Sequence, residues 1–580
     1  MAQTSLARQH AVVPVHFRGR PAALYRIPFS LMLLGLLLIS IQAGKPLLGL
    51  AVMLTALVSS AAVAWRAVMK RQTSASVLRD RGDERLVAGE YREARALYER
   101  ALAIAERELP PAAPEVLVNY YSLAAVNSML HDHSRADRYL AELLRGLGDR
   151  VPAAWTGHVA WLLRRVAHHH SLQGDHPRAA SLCLRALDLV GEAPGADDNT
   201  VRSLLDDLAW IHHHAGDYAR AEEVFRAALA VHEQFRDAAL ELAQRPTNRA
   251  APPESPYRTP GPATASTTGG LDRAVAYSLL GLGWTVYERG RYAEARKCFD
   301  RAVVVAAAAG SSDAGDPWSR ARTGAGLQVE ILRGRAAVSV TLGQYDEAAE
   351  LYARAESLLE RTDEPLQTAA LEIDVGWLER CRRNYAEAER CYRRALDGIA
   401  QAREGTATIA CALYESLAEL RRRQGRLREA QRDIRHALEL AQDCLGVEHP
   451  RVAGVLAVAA RIQAARSEYG EAERSARQCL TLLRARFGRT HPRFADGYLA
   501  LAELQLGRGQ LGAAEQTFTR ALELRESMLG AAHPELAEIL EGKAAVLRAT
   551  HREEEADALA ERAAALKEGL GGTEAAPAAE

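Results

Sequence analysis

Two histidine triplets, His168-His169-His170 and His212-His213-His214, are the densest sets of metal-ligand side chains in this chain. Neutral imidazole binds metals readily, but successive residues on a helix point about 100° apart, so neither triplet can close round one ion by itself. His168 and His213 could face each other from neighbouring helices, yet polar helix ends also hold such residues for no special purpose. The seven cysteines, at 183, 298, 381, 391, 411, 444 and 479, contain no CxxC pair, and their odd number suits a reducing compartment. Cys183, Cys298, Cys391 and Cys479 fall near core positions and read as small hydrophobes. No Gly-rich phosphate loop, Gly-x-Ser-x-Gly elbow or His-Glu-x-x-His helix is present. The expectation is a chain without catalytic residues, metal or cofactor.

Recognition of a polypeptide has better material. Trp210, Trp284 and Trp377 occupy one recurring position, with His168 in the equivalent place, and Trp161, Arg164, His213, Tyr277, Tyr287 and Arg333 stand nearby. Trp, Tyr and Arg are the residue types enriched in binding hot spots. The competing reading is that these indoles simply pack against the next structural unit, because large aromatics are mostly buried.

What must position them is a repeat. The stretch Ala418 to Pro450, with Gly425-Arg426-Leu427, Ala430, Ala437-Leu438 and Leu445-Gly446-Val447-Glu448-His449-Pro450, returns 42 residues later as Ala460 to Pro492 and again as Ala502 to Pro534. Self-similarity at a fixed period means one supersecondary unit stacked many times. A small residue opens the pattern in eleven copies: Gly82, Ala124, Ala167, Ala209, Gly283, Ala336, Gly376, Ala418, Ala460, Ala502 and Ala544. Twelve residues after each comes an alanine, from Ala94 to Ala556, without exception. Antiparallel helices whose axes lie about 8–10 Å apart need small side chains where they cross, and these positions supply them. The residue two past the turn position (Leu427 after Gly425, Tyr469 after Ser467, Leu511 after Gly509) is expected beside that crossing, and the Pro of each His-Pro pair in the first turn of a helix.

The order small residue, Gly-x-Tyr, Ala, Tyr/Phe, Ala-Leu resembles the tetratricopeptide repeat over roughly residues 72–567, and the Leu-Gly-x-x-His-Pro copies between about 410 and 560 look like the kinesin light chain subtype. The resemblance implies an all-α fold, a right-handed α-solenoid of about eleven helix-turn-helix repeats whose first helices line a concave face. Repeats of this family that clamp a chaperone carboxylate carry Asn after the small residue. Here that position is Trp, Ala, Glu, Arg, His or Asp and never Asn, so such a clamp is disfavoured.

At 580 residues, 48% apolar, 25% charged and net charge −1, the chain has no basic excess for nucleic acid. A solenoid accounts for the length, because each repeat needs only its neighbours. The abundance of Ala, Leu and Arg suits a GC-rich bacterial genome. Residues 1–26 are basic, with Arg8, Arg18, Arg20 and Arg26; 27–43 and 46–65 are uncharged apolar runs of a length that can span a bilayer. Two transmembrane helices over 27–65 are therefore expected before the solenoid. The positive flanks would place it on the cytoplasmic side of an inner or plasma membrane. Four repeats (72–244) and seven repeats (271–567) are expected on either side of a Pro/Thr/Ala-rich insertion loop at 245–270, which is a functional loop or a linker. A smaller insertion lies near Ser311–Pro317, and a disordered tail is expected over 571–580.

The function these features predict is a membrane-anchored scaffold or adaptor that holds a protein or peptide partner on its concave face. Two alternatives stand beside it. One is a regulatory or ligand-sensing subunit of an enzyme system, with a pocket between the two blocks. The other is an array that self-associates.

Overall fold

The computed structural model describes residues 74–130, 132–148, 151–191, 198–244, 265–309, 324–360, 364–402, 406–488 and 491–568. Twenty-two α-helices and no strand occur among these residues, in eleven consecutive pairs. Repeats one to four are α1 (Ala75–Val87) with α2 (Tyr91–Glu108), α3 (Pro114–Met129) with α4 (His133–Leu147), α5 (Ala153–Leu172) with α6 (His176–Gly191), and α7 (Asp198–His214) with α8 (Tyr218–Gln244). Repeats five to eight are α9 (Ala265–Glu288) with α10 (Tyr292–Ala308), α11 (Gly324–Thr341) with α12 (Tyr345–Leu359), α13 (Pro365–Cys381) with α14 (Tyr385–Gln401), and α15 (Ala407–Arg423) with α16 (Leu427–Leu445). Repeats nine to eleven are α17 (Pro450–Ala465) with α18 (Tyr469–Phe487), α19 (Phe494–Gly507) with α20 (Leu511–Leu529), and α21 (Leu536–Ala549) with α22 (Glu553–Glu568).

The small residues lie where the helices cross. Every second-helix alanine of the series, Ala94 to Ala556, is at most 1% exposed. Beside them lie the largest buried rings, among them Tyr98, Phe225, Phe299, Tyr392 and Phe518. Each of these five rings presses on a glycine of its own or the next first helix. A Cβ added to Gly376 would stand 2.4 Å from Tyr392 Cε1, and one added to Gly281 would stand 2.2 Å from Phe225 Cε1. The residues expected beside the crossing, Leu427, Tyr469 and Leu511, instead open the second helices and stay only partly buried. The ring that fills the crossing comes four residues after the alanine, on the same helical face.

The described residues divide into two compact units, 74–166 and 167–568. In the first, Tyr98 donates to Asp83 at 2.7 Å, Tyr120 to Glu106 at 2.7 Å, and Tyr121 packs edge-on against Trp155. In the second, the solenoid continues across the insertion, because α8 and α9 share one core through Phe225, Leu279 and Phe299. Residues 265–270, expected in the loop, belong to α9, while 245–264 lie outside the described residues, as do 311–317 and the tail 571–580.

The membrane expectation is corrected. No helix among the described residues is long and apolar enough to cross a membrane, because each solenoid helix carries charged or polar residues on its outer face. The two transmembrane helices expected over 27–65, and the basic segment 1–26 before them, lie outside the described residues, so the assignment to an inner or plasma membrane has no structural footing.

Within the second unit, a seam joins repeats five apart. The turns of repeats four to six meet the start of the repeats five places further on, and the turn of repeat three meets the end of α16 in repeat eight. A Cβ on Gly174 would lie 2.6 Å from the Cys444 carbonyl oxygen, on Gly216 2.4 Å from Pro450 Cδ, and on Gly290 2.4 Å from Pro492 Cγ. Gly343 stands 3.3 Å, measured the same way, from His533 Nε2 and Pro534 Cδ. The comparable turns at Gly89, Gly425 and Gly509 have nothing within 4 Å. Three further turns place a residue other than glycine, Arg383, Ser467 or His551, in the left-handed position.

The His-Pro pairs are the other half of this contact. His449 and His491 donate from Nε2 to the carbonyls of His214 (3.1 Å) and Glu288 (2.8 Å), the final residues of α7 and α9. Their Nδ1 atoms accept from the backbone N–H of Arg451 (3.1 Å) and Arg493 (3.2 Å), and His533 Nδ1 accepts from Glu535 at 3.2 Å. The Phe487 ring stacks on His491 and on Tyr218 across the seam, with centroids 3.8 and 5.9 Å apart. Pro450 opens α17 as expected, whereas Pro492 and Pro534 sit in the turn before α19 and α21.

Two stability outcomes follow from this packing. Ala430→Leu overfills a fully buried crossing and is expected to cost about 1–3 kcal/mol, read by urea denaturation; an unchanged midpoint would contradict the register. Gly290→Ala and Gly509→Ala impose the same left-handed strain, about 1–2 kcal/mol, at φ 77° and 74°. Only Gly290→Ala also displaces Pro492, so it is expected to lower the midpoint further. Equal losses would contradict the seam.

Candidate partner-binding cavity

The first helices of repeats five to nine turn one face toward a common interior. On α13 that face is Ala370, Ile373, Asp374, Trp377 and Cys381, and on α15 it is Thr408, Ala412, Glu415, Glu419 and Arg423, the three-and-four spacing of one helical stripe. Together with the seam loops and parts of α19 to α22, they line a half-open cavity of about 610 Å³, formed wholly by residues between 284 and 567. The residue immediately after each small position falls on its wall: Trp284, Ala337, Trp377, Glu419 and Arg461.

One wall is a closed set of ion pairs. Arg461 bonds Glu503 at 2.8 Å, pairs with Glu538, and lies 3.6 Å from Glu419. Arg422 reaches Glu419 at 2.8 Å and Glu538 at 2.7 Å, and Arg423 reaches the same two carboxylates at 2.8 and 3.1 Å. Burial alone would raise the Glu419 carboxyl, but Arg422, Arg461 and Arg423 overcome it and hold it well below the usual range. At Glu538 the same contest, with Arg461 the strongest opponent of burial, also ends in a lowered pKa. Three guanidinium groups thus neutralise three carboxylates.

Elsewhere the lining is less complete. Arg333 is held by Asp374 and Glu330, both at 2.8 Å, and Arg493 by Glu288 at 2.7 Å. Arg451 and Glu415 make no side-chain hydrogen bond or ion pair among the described residues. Arg380 reaches Glu419 only at 3.9 Å and leaves its buried Nε unbonded. Burial raises the Glu415 pKa against the pull of Arg451, Arg493 and Arg380. These side chains, on the same lining as Trp284 and Trp377, give an occupant both polar and apolar contacts.

Four of the ten residues singled out in the sequence, Trp284, Tyr287, Arg333 and Trp377, share this cavity. Tyr287 bonds Thr341 at 2.8 Å. Trp210, His213 and Tyr277 lie outside it in an aromatic cluster, with Trp210 centroids 5.3 Å from His213, 5.4 Å from Phe225 and 5.8 Å from Tyr277. His213 Nδ1 is 3.0 Å from Thr285 Oγ1. Trp161, under the Arg165 guanidinium, and half-buried Arg164 belong to the first unit, and His168 is exposed at the start of the second. Glu419, Arg461, Glu415 and Arg451 were not anticipated. Glu419 and Arg461 occupy the same post-small position as the tryptophans, and that register was the available signal.

Residues 73–147, 158–234, 327–400 and 408–485 match one tetratricopeptide repeat family, and residues 275–309 match another of the same description. Among solved structures, BtubC (BKLC) from P. vanneervenii is 22% identical, over 41% of this chain and 94% of that one, with a TM-score of 0.30. A Rap protein complexed with Competence and Sporulation Factor is 14% identical over 72% and 99%, with a TM-score of 0.45. The Rap conjugation gene regulator of the plasmid pLS20, in complex with the Phr* peptide, is 14% identical over 71% and 96%, with a TM-score of 0.41. These likenesses speak to the fold alone. No curated protein matches the chain.

The ion-pair wall yields its own test. Arg461→Ala strands Glu503 and weakens the hold on Glu419 and Glu538, and is expected to cost about 3–5 kcal/mol in chemical denaturation. A loss at the scale of an exposed pair, below about 1 kcal/mol, would contradict a buried network.

Proposed function

The chain belongs to the tetratricopeptide repeat family, a family of protein-interaction scaffolds, and on that premise we propose that repeats five to eleven hold an extended protein or peptide segment in the cavity. The observation that carries this reading is the wall position after the small residue, which sets Trp284 and Trp377 on one interior face. A volume of about 610 Å³ falls in the usual range of small binding sites, about 300–1,000 Å³. Indoles in such a recess supply contact area at low entropic cost, and Arg451 and Glu415 on the same lining can fix orientation. Burial pushes the one thiol on the wall, Cys381, up to about 11, so it stays protonated at neutral pH and is a poor nucleophile. The alternative of a ligand-sensing pocket between two blocks draws no support from this geometry, because the cavity lies within residues 284–567.

Crosslinked capture with the full chain tests the reading. Trp284→Ala and Trp377→Ala, each checked for retained helicity by circular dichroism, are expected to weaken capture of a defined partner by roughly 30-fold, the scale of a hot spot worth about 2 kcal/mol. Undiminished capture by both folded variants would place recognition elsewhere.

A further inference from the structure

The seam and the cavity share a wall. His491, Pro492, Arg493, Pro534 and Glu535 line the interior, and Glu288 both pairs with Arg493 there and accepts the His491 hydrogen bond through its carbonyl. Anything that parts the seam therefore opens the cavity. Both ring nitrogens of His449 and of His491 are committed, Nε2 as donor to a carbonyl five repeats away and Nδ1 as acceptor from a backbone N–H. Only the neutral Nε2–H tautomer satisfies that pattern. His533 repeats the Nδ1 contact and sets its Nε2 beside the Thr341 end of α11 without reaching hydrogen-bond geometry.

We propose that this seam is an acid-sensitive latch: protonation of His449, His491 and His533 parts the turns of repeats four to six from the loops that open repeats nine to eleven, and so opens the cavity. A proton added at Nδ1 replaces the acceptor lone pair with an N–H that faces another N–H. Its charge would also enter surroundings that already repel it. His449 faces His213, His214 and His176 from α6 and α7, Arg451 on its own helix and Glu288 from α9. His491 faces Glu288 and Arg289 from α9 and Arg493. His533 faces Arg525 from α20 and Glu535. The carboxylates Glu288 and Glu535 are already engaged by Arg493 and Arg525.

Burial, aided by Arg451, pushes His449 down to about 3; burial, aided by Arg493, pushes His491 to about 4; burial also lowers His533. Freed into solvent, each ring returns toward its ordinary 6.5. The open state therefore binds more protons. The closed seam is fully favoured above about pH 6.5 and loses that advantage as pH falls toward the folded values. Each histidine shifts the equilibrium about tenfold per pH unit in that window, so three together shift it about a thousandfold. The consequence for partner binding rests on the function proposed above, but the opening itself does not.

Small-angle scattering from the full chain between pH 7.5 and 5.0, with circular dichroism on the same samples, reads the opening directly. The expected result is a radius of gyration that rises below about pH 6.5 while helicity is retained, and a flat profile for His449→Gln/His491→Gln/His533→Gln. The single variant His491→Gln, expected to show a transition shallower by one proton, serves if the triple variant does not fold. A flat wild-type profile, an unchanged transition in the variants, or expansion that coincides with loss of helicity would each overturn the latch. A partner captured equally at both pH values from a seam shown to open would instead contradict the assignment of the cavity as the binding site.

Discussion

A prolyl ring resting where any residue but glycine would place its Cβ is the contact on which the second unit depends. The turns at Gly216 and Gly290 admit Pro450 and Pro492 only because nothing projects from them. The same turns must also run through left-handed backbone at φ 72° and 77°, and glycine meets both demands at once. A solenoid in which each repeat touched only its neighbours would leave its first helices facing open solvent. Contact at five repeats' distance turns them toward a half-open interior instead. Stacked Phe487, paired Arg493 and the two histidine hydrogen bonds all hang on that approach.

Burial changes the physics of the charges inside. Arg461, Glu419 and Glu538 would contribute little on an exposed concave face, where ion pairs are weak and screened. Within the cavity, Glu419 and Arg461 are 7% and 8% exposed, and each must be compensated by fixed partners. Such a set ties repeats eight, nine, ten and eleven to one another more by the cost of breaking it than by any gain in forming it. Arg451 and Glu415, which attract each other without a direct hydrogen bond, are where an occupant would find charge without first breaking one.

Much of the fold was legible because the repeat forces one residue type into one place eleven times. The alanines from Ala94 to Ala556 could be read as a crossing because only small side chains fit there, and all are buried. The buried rings of Tyr98 and Phe299 belong to the same periodic signal. One stripe of the cavity wall could be read by extending the Trp284 and Trp377 position to Glu419 and Arg461, since register, not residue type, decides what faces inward. The seam could not be read this way. Its partners, such as Gly216 and Pro450, are separated by five repeats and an irregular insertion, and no local periodicity links them. The histidine triplets drew attention as metal ligands, whereas His213 and the His214 carbonyl serve packing and the seam. The apolar runs before residue 73 suggested a membrane by composition alone, and the helices described beyond them carry no such span.

The most direct test of the account is the distance across the seam in solution at neutral pH. Nitroxides placed by non-cysteine chemistry at Gln344 and Ala532, exposed positions beside Gly343 and His533, report it through their dipolar coupling. A single short, narrow distance distribution is expected if the turn of repeat six rests on the loop that opens repeat eleven. A long, broad distribution in a chain of undiminished helicity would contradict the closed seam, and with it the cavity.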